Sequence, residues 1–435
     1  MNSALELQNL YLDYMDDTES PIIYHRWSFL VGVGALLERN IYLPFGPSTI
    51  YPNQYAILLG PPAARKSTAI SALGELLTEC GYKNFSSDRT SKEKFIQDMS
   101  EGFKVSDELD DLNLDDEIDL ENLFNKKAKA DACNVFIKAS ELQDFMGQSN
   151  SDLISWLSNI WDNPAYYDNR VKNGKSDRIN KPTINMLGGA TGATFKKIFP
   201  LDILEQGMLS RMLLIHGEGA RKKIAFPKPL DKQMQTRLVK ELIKIQDKVK
   251  GEVTLSDKAR NALEEIYNTW EGIPDSRFST YTGRRFTHLL KLCMVNAAMN
   301  LSLEISYEDV ILANTILSYT ENFMPQALGE FGTTELGKVT DTVFRIIKGS
   351  QSKGISFTDI VKKVKGEVAD KTKIAVALDN LKSLGKIDNV QDDTSLSAVK
   401  SAKYLAIEAP RQFTKKYIDY SLLREAKDSD LGEIE

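Results

Sequence analysis

Cysteine and histidine are scarce, with three of each in 435 residues. Cys80, Cys133 and Cys293 are scattered, without a CxxC pair or a histidine cluster beside them, which excludes a zinc framework and a disulfide scaffold. Long apolar runs are missing too. The longest near the N-terminus, residues 27–37, is shorter than a membrane span and is flanked by His25, Arg26, Glu38 and Arg39. The first ten residues have neither a basic n-region nor an apolar h-region, so no signal peptide and no membrane partner are expected. A surplus of positive charge is also lacking. With 55 basic and 61 acidic residues the net charge is -6, which argues against indiscriminate coating of nucleic acid but leaves room for a local basic patch. Internal repeats are not seen. What remains, 42% hydrophobic and 27% charged residues, is the balance of a globular protein long enough for two or three domains.

The pattern along the chain predicts an α/β fold. Residues 1–44 alternate helical patterns with a break at Ser20-Pro21 and read as an N-terminal helical collar. Residues 45–230 read as an α/β core, in which the apolar runs 55–59, 135–137, 183–187 and 212–215 are strands of a mostly parallel sheet covered on both faces. Two insertions interrupt it. One is residues 105–123, nine of them acidic and none basic, expected to be a mobile surface segment. The other is a hairpin at residues 167–179. Residues 231–334 turn wholly helical and read as a lid. Residues 335–410 predict three helices and a two-stranded wing, hence a winged helix, with Asp370 as the N-cap of the third helix; 411–435 is a polar tail expected to fray.

The chemistry begins at Gly60-Pro61-Pro62-Ala63-Ala64-Arg65-Lys66-Ser67, which follows the phosphate-loop form G-x-x-x-x-G-K-[ST] with Arg65 in place of the second glycine. Strand, loop and helix occur in the order the motif needs. Backbone N–H groups from Gly60 to Thr68 and the positive end of the next helix would cradle the β-phosphate of ATP. Lys66 would reach the β- and γ-phosphates, and the Ser67 hydroxyl would ligate Mg²⁺. Arg65 adds a cation at the phosphates or points at a neighbouring subunit. Residues 134–141 form an apolar strand ending in Ser140-Glu141, where a Walker B element usually has Asp-Glu. Glu141 is the expected general base, with Ser140 holding Mg²⁺ through water. Thr191, after Gly188-Gly189-Ala190, is placed to orient the attacking water. Arg211, in Gly207-Met208-Leu209-Ser210-Arg211, could supply transition-state charge to an adjacent subunit. Arg284 and Arg285 open a lid helix where an arginine could sense nucleotide; the sequence leaves open which of the two does so, with Arg285 taken as the contact.

In the insertion Tyr167-Asp168-Asn169-Arg170-Val171-Lys172-Asn173-Gly174-Lys175-Ser176-Asp177-Arg178-Ile179, Asn-Gly is a strong signal for a two-residue turn. Such a turn opposes Lys172 to Lys175 and Arg170 to Asp177. Two lysines facing each other call for an anion between them, here a nucleic-acid backbone. In the winged helix, Lys371, Thr372 and Lys373 open the third helix and are expected to touch duplex DNA.

Taken in order, these elements resemble the AAA+ ATPase domain of uncharacterised function found in phage replication proteins and often fused to primases. The likeness runs over about residues 20–325. It is carried by Tyr24-His25-Arg26-Trp27, Tyr51-Pro52-Asn53-Gln54-Tyr55, Ser140-Glu141-Leu142, Ile160-Trp161-Asp162-Asn163 and Ser210-Arg211. The module order is also similar to that of the minichromosome maintenance helicases, in which the hairpin lines a hexamer pore. The resemblance implies a ring-forming, ATP- and Mg²⁺-dependent DNA helicase of phage or plasmid-type replication. Lys172 and Lys175 would then grip single-stranded or forked DNA, and a primase or polymerase would be a possible partner. It also implies a cytoplasmic place, the host's cytoplasm for a phage chain. A non-translocating helicase loader or replication initiator is the alternative.

Overall fold

The run at residues 55–59 has no alternation of polar and apolar positions, which leaves no face for solvent. In the computed structural model it is an interior strand. The structure describes residues 3–100, 133–169, 177–199, 207–273, 275–329, 335–350, 354–364, 371–383, 387–390, 403–406 and 415–426. The acidic stretch 105–123, the hairpin residues Arg170, Lys172 and Lys175, and Asp370 lie outside them. The chain forms two units, Met1–Gly329 with Thr414–Glu435, and Glu330–Phe413.

In the first unit α1 (Ser3–Tyr14) and α2 (Ile22–Leu37) precede an antiparallel pair, β1 (Ile41–Phe45) and β2 (Ser48–Ile50). Next come β3 (Tyr55–Leu59), α3 (Lys66–Glu79), α4 (Lys92–Ser100), β4 (Asn134–Ala139), α5 (Leu142–Met146) and α6 (Ser151–Ile160). β5 (Tyr166–Asn169) and β6 (Asp177–Asn180) pair with each other, and β7 (Thr183–Ala190), α7 (Gly192–Ile198) and β8 (Met212–His216) follow. The sheet order is β4-β7-β3-β8, with every pairing parallel. β3 and β7 are buried along their whole length, as a parallel sheet covered on both faces requires. The strands expected from the apolar runs are all present.

Two features of this unit differ from the sequence reading. α2 is no collar. Fourteen of its sixteen residues are buried, and the Trp27 indole donates to Thr320 at 2.8 Å, so the helix is interior to the unit. Nor is the lid wholly helical. α8 (Lys232–Lys248), α9 (Asp257–Thr269), α10 (Ser279–Met299) and α11 (Tyr307–Leu328) are interrupted by β9 (Gly251–Glu252), β10 (Thr254–Leu255) and β11 (Glu304–Ile305). β9 pairs with β1 and β10 with β11, which ties these helices to the N-terminal part of the chain. Local signals set the helix starts: Asp231 and Ser256 cap α8 and α9, and Ser306 with Asp309 forms a capping box on α11. No described helix is long and apolar enough to cross a membrane.

The hairpin register is a correction. Asn169 faces Asp177, and Tyr167 faces Ile179. The expected partner of Asp177 was Arg170, one residue later. An unbroken ladder closed by a two-residue turn leaves an even number of residues between any facing pair, whereas 170–176 is seven. Asp177 instead accepts from the Ser100 hydroxyl at 3.3 Å, and Arg178 stacks over the Tyr166 ring at 4.5 Å.

The polar tail is a second correction. Residues 415–426 dock along α11 rather than fray. Asn314 donates to the Tyr417 carbonyl at 2.8 Å, Tyr319 donates to the Glu425 carbonyl at 2.9 Å, and the Asp419 N–H donates to Thr315 at 2.9 Å. Glu425 ends in a bidentate ion pair with Arg26 of α2, at 2.6 and 2.8 Å, and the Arg26 side chain is fully buried.

The second unit contains α12 (Glu335–Lys348), β12 (Ile355–Ser356), α13 (Phe357–Lys363), α14 (Lys371–Ser383), β13 (Ile387–Val390) and β14 (Lys403–Ala406). Its sheet is antiparallel in the order β12-β14-β13, one strand more than the expected wing. Val339, Val343 and Ile347 pack with Ile374, Leu378 and Leu381, at the helical spacing that puts each set on one face of its helix.

Candidate nucleotide-binding site

All four strands of the parallel sheet run the same way, so their carboxyl ends share one edge, the usual place for a ligand in such sheets. The registers make the alignment explicit: Leu59 faces Ala190 and His216, and Ala139 faces Gly188. Gly60, Ser140, Glu141 and Thr191 therefore leave the sheet side by side.

Glycines bring them close. A side chain at Gly189 would meet the Ser140 carbonyl at 2.6 Å and the Lys66 Cβ at 3.5 Å, and one at Gly188 would meet Leu142 at 2.7 Å. The bare surface of β7 thus lets the start of α3 and the end of β4 approach each other. Gly60 has another reason. The Tyr24 hydroxyl of α2 donates to the Leu59 carbonyl at 2.7 Å and lies wedged between Gly60 and Gly217, leaving no room for a side chain at either.

The loop is held in a strained shape. Ala63 and Arg65 have φ of 62° and 57°. Left-handed backbone costs a non-glycine residue about 1–2 kcal/mol and concentrates at ligand sites. Arg65 stands where the motif has its second glycine, so the substitution keeps the backbone shape that glycine would adopt freely. Its side chain turns to Glu19 at 2.5 Å, and Glu19 also accepts from the Ile224 N–H at 2.8 Å. The Ile224 N–H and then Arg65 hold the Glu19 carboxyl below its ordinary range. The cation at Arg65 is thus engaged within the chain.

α3 starts without a side-chain cap and without an acid in its first turn, so its positive end and first N–H groups face the loop interior unopposed. Lys66 folds back to donate to the Gly60 and Pro61 carbonyls at 3.1 and 2.9 Å. Burial pushes its ammonium below the ordinary lysine value, and the Glu141 carboxylate works against that shift. Glu141 is exposed and sits at the N-cap of α5 without a side-chain capping bond. Ser67 is exposed and Thr68 half-buried. A strained loop, an uncapped helix end and a lysine that, among the described residues, donates to carbonyls suit a phosphate group. Thr191 caps α7 by accepting from the Thr194 N–H at 3.1 Å, which fixes its hydroxyl at the end of β7.

Arg211 and Arg284 lie at the other end of the sheet. Met212 faces Tyr55, so Arg211 is level with Gln54 while the phosphate loop starts after Leu59. Five residues of strand separate the levels by roughly 16 Å, beyond the reach of an arginine side chain. Arg211 binds Asp162 at 2.9 Å and the Gly207 carbonyl at 3.0 Å. Arg284 reaches the same Asp162 at 2.5 Å. Arg285, expected to contact nucleotide, is a correction: its guanidinium is buried against Glu321 at 2.9 Å and Asn314 at 2.7 Å.

Around Arg211 the chain builds a polar interior that sequence reasoning missed. His288 donates from Nε2 to the Ser210 carbonyl at 2.9 Å, and burial with the nearby cations pushes its pKa down to about 3, so it is neutral. Lys291 donates to Asn53 at 2.5 Å and lies over the Trp161 ring at 4.3 Å; burial pushes its pKa down to about 7. Asn163, at a φ of 54°, also donates to Asn53, at 2.7 Å. The signal was present in the polar residues Asn53, Asp162 and Asn163 inside otherwise apolar stretches.

The buried lysine has a consequence for stability. Between pH 7 and about 10.4 the unfolded chain binds a proton at this residue that the folded chain does not, so stability should rise with pH across that window. Lys291→Met removes the effect, and Asn53 keeps Asn163 as donor. The variant should be more stable than wild type at pH 7, and urea denaturation should show the gap closing by up to about 1.4 kcal/mol per pH unit toward pH 10. Parallel stability curves would show that Lys291 stays charged.

Among the described residues no group of three or more His, Cys, Asp or Glu could by itself hold a metal, and a metal here would depend on hydroxyl and phosphate oxygens. Compared with known families and curated proteins, the chain matches no family profile and no curated protein.

Proposed function

We propose that the chain is an AAA+ type ATPase that works as a ring of copies and serves as a replicative DNA helicase of phage or plasmid type. One observation carries this reading. Lys66 and Glu141 stand at the carboxyl edge of a four-stranded sheet, and Arg211, which the site also needs, is held at the opposite end. An arginine that cannot reach its own loop can complete a site only on a second copy. The first turn of α3, Lys66 and Ser67 would hold the phosphates and Mg²⁺ of ATP, and Ser140 would stand beside the metal. Bound Mg²⁺-ATP supplies the transferable phosphoryl group. Glu141 accepts the proton of the attacking water, Thr191 orients that water, and Arg211 of the adjoining copy stabilises the developing charge.

The DNA part rests on two basic features. The helix and strand order of the second unit fits a winged helix, in which the exposed Lys371 and Thr372, with Lys373, open α14 toward a duplex. Lys172 and Lys175 belong to the hairpin. Its observed register does not oppose Arg170 to Asp177, which weakens the argument for opposed lysines and favours a second reading, a loader or initiator that uses ATP as an assembly switch. Fork unwinding decides between them. A helicase separates labelled strands in ATP and not in a non-hydrolysable analogue, whereas a loader separates them in neither. Mixing Arg211→Ala with wild-type chains should depress ATPase activity more than in proportion, and proportional loss would argue against a shared site.

A further inference from the structure

Asp162 faces more positive charge than one carboxylate can neutralise. Arg211 binds one of its oxygens at 2.9 Å, and Arg284 reaches both, at 2.5 and 3.3 Å. The arginines come from different places, Arg211 from the turn before β8 and Arg284 from the first turns of α10, yet they meet at one point. That point is accessible: 43% of the Asp162 side chain and 32% of the Arg284 side chain are exposed. Arg211 is more enclosed, and its buried Nε has no hydrogen-bond partner among the described residues. Two guanidinium groups converging on one open carboxylate match the several oxygens of a phosphate better than those of that single carboxylate.

We propose that Arg211 and Arg284 form a receptor for a phosphate group brought from outside the subunit, and that Asp162 is the internal anion occupying it until that group arrives. The phosphate is not one held by the same chain's loop, which lies at the far end of the sheet. It belongs either to the nucleotide of a second copy or to a nucleic-acid backbone; the first source rests on the function proposed above. Asp162 then acts as a positioning residue. It keeps both arginines aligned and sets a threshold that the incoming phosphate must exceed.

Inorganic pyrophosphate is the probe for the receptor, titrated calorimetrically into the full chain carrying Lys66→Ala to silence the loop. Adding Asp162→Asn should tighten pyrophosphate binding about tenfold, because a competing charge-assisted pair is removed while the side-chain shape is kept. Adding Arg284→Gln to that variant should reverse the gain. Should Asp162→Asn fail to fold, Arg284→Gln alone on the Lys66→Ala chain should still weaken pyrophosphate binding. Unchanged affinity on removing Asp162, or a gain that survives loss of Arg284, would overturn the receptor. Two further measurements on Asp162→Asn with Lys66 intact assign the source. Assembly at lower protein concentration in ATP, read by sedimentation, points to a second copy's nucleotide. Tighter binding of a labelled single strand without nucleotide points to nucleic acid. Hydrolysis is read in none of these, so an inactive ATPase would sink the functional reading and leave the receptor standing.

Discussion

A chain ended at Pro410 is expected to lose the stability of its first unit, even though the deleted residues look dispensable in sequence. Removing residues 411–435 leaves the Arg26 guanidinium buried without Glu425. Breaking a buried ion pair from one side costs about 3–5 kcal/mol. Tyr417 and Leu423, 5% and 4% exposed, lose their places as well, at about 1.5–3 kcal/mol for each large apolar side chain. Together these losses are comparable with the whole stability of an ordinary domain, about 5–15 kcal/mol. Excising residues 335–410 and joining the ends through a flexible linker should do far less, because it removes the second unit and keeps the segment that docks on α11. Thermal melts of the two shortened chains test this. A truncated chain that melts with wild type would show that residues 415–426 contribute nothing to the first unit. The excised chain is also the proper background for asking whether the second unit binds DNA.

The contrast shows what a local reading can reach. Strands over 55–59 and 183–187 were legible because strands covered on both faces are rich in apolar residues, and the loop between Leu59 and Lys66 was legible because its residues are contiguous. The same holds for the inward faces of α12 and α14. What escaped were pairings between distant positions: Arg26 with Glu425, Arg285 with Glu321, and Arg211 and Arg284 with Asp162. A lone arginine on a helix gives no sign of whether it faces a ligand or a buried glutamate. The hairpin failed more subtly. Asn-Gly marks where a chain reverses but does not exclude a shift of one residue, and one residue was enough to separate Arg170 from Asp177. Gly188 and Gly189 were visible as glycines following an apolar run. Their use, letting α3 and the end of β4 approach, needed the fold.

Lys66→Ala and Glu141→Gln should separate binding from chemistry at the loop. Losing the lysine removes the cation that faces the loop interior, whose ammonium donates to the Gly60 and Pro61 carbonyls. Charge-assisted bonds to phosphate are worth about 1.5–3 kcal/mol, so ATP affinity should fall about tenfold to a hundredfold and hydrolysis should disappear. Stability should not suffer, because burial already disfavours the charged form of this lysine. Glu141→Gln should leave binding and lower turnover by about 10²–10⁴, the usual contribution of a general base. Equilibrium binding of a fluorescent ATP analogue and single-turnover hydrolysis read the two effects apart, and turnover retained by Lys66→Ala would remove the phosphate-loop assignment. A pH series adds an electrostatic check on the pair. Burial lowers the Lys66 pKa and the Glu141 carboxylate partly restores it, so in Glu141→Gln the lysine should lose its proton at lower pH than in wild type. On the alkaline side, the decline of ATP affinity should therefore begin at lower pH in Glu141→Gln. Superimposable binding profiles for the two proteins would mean that Glu141 stands too far from Lys66 to share its site.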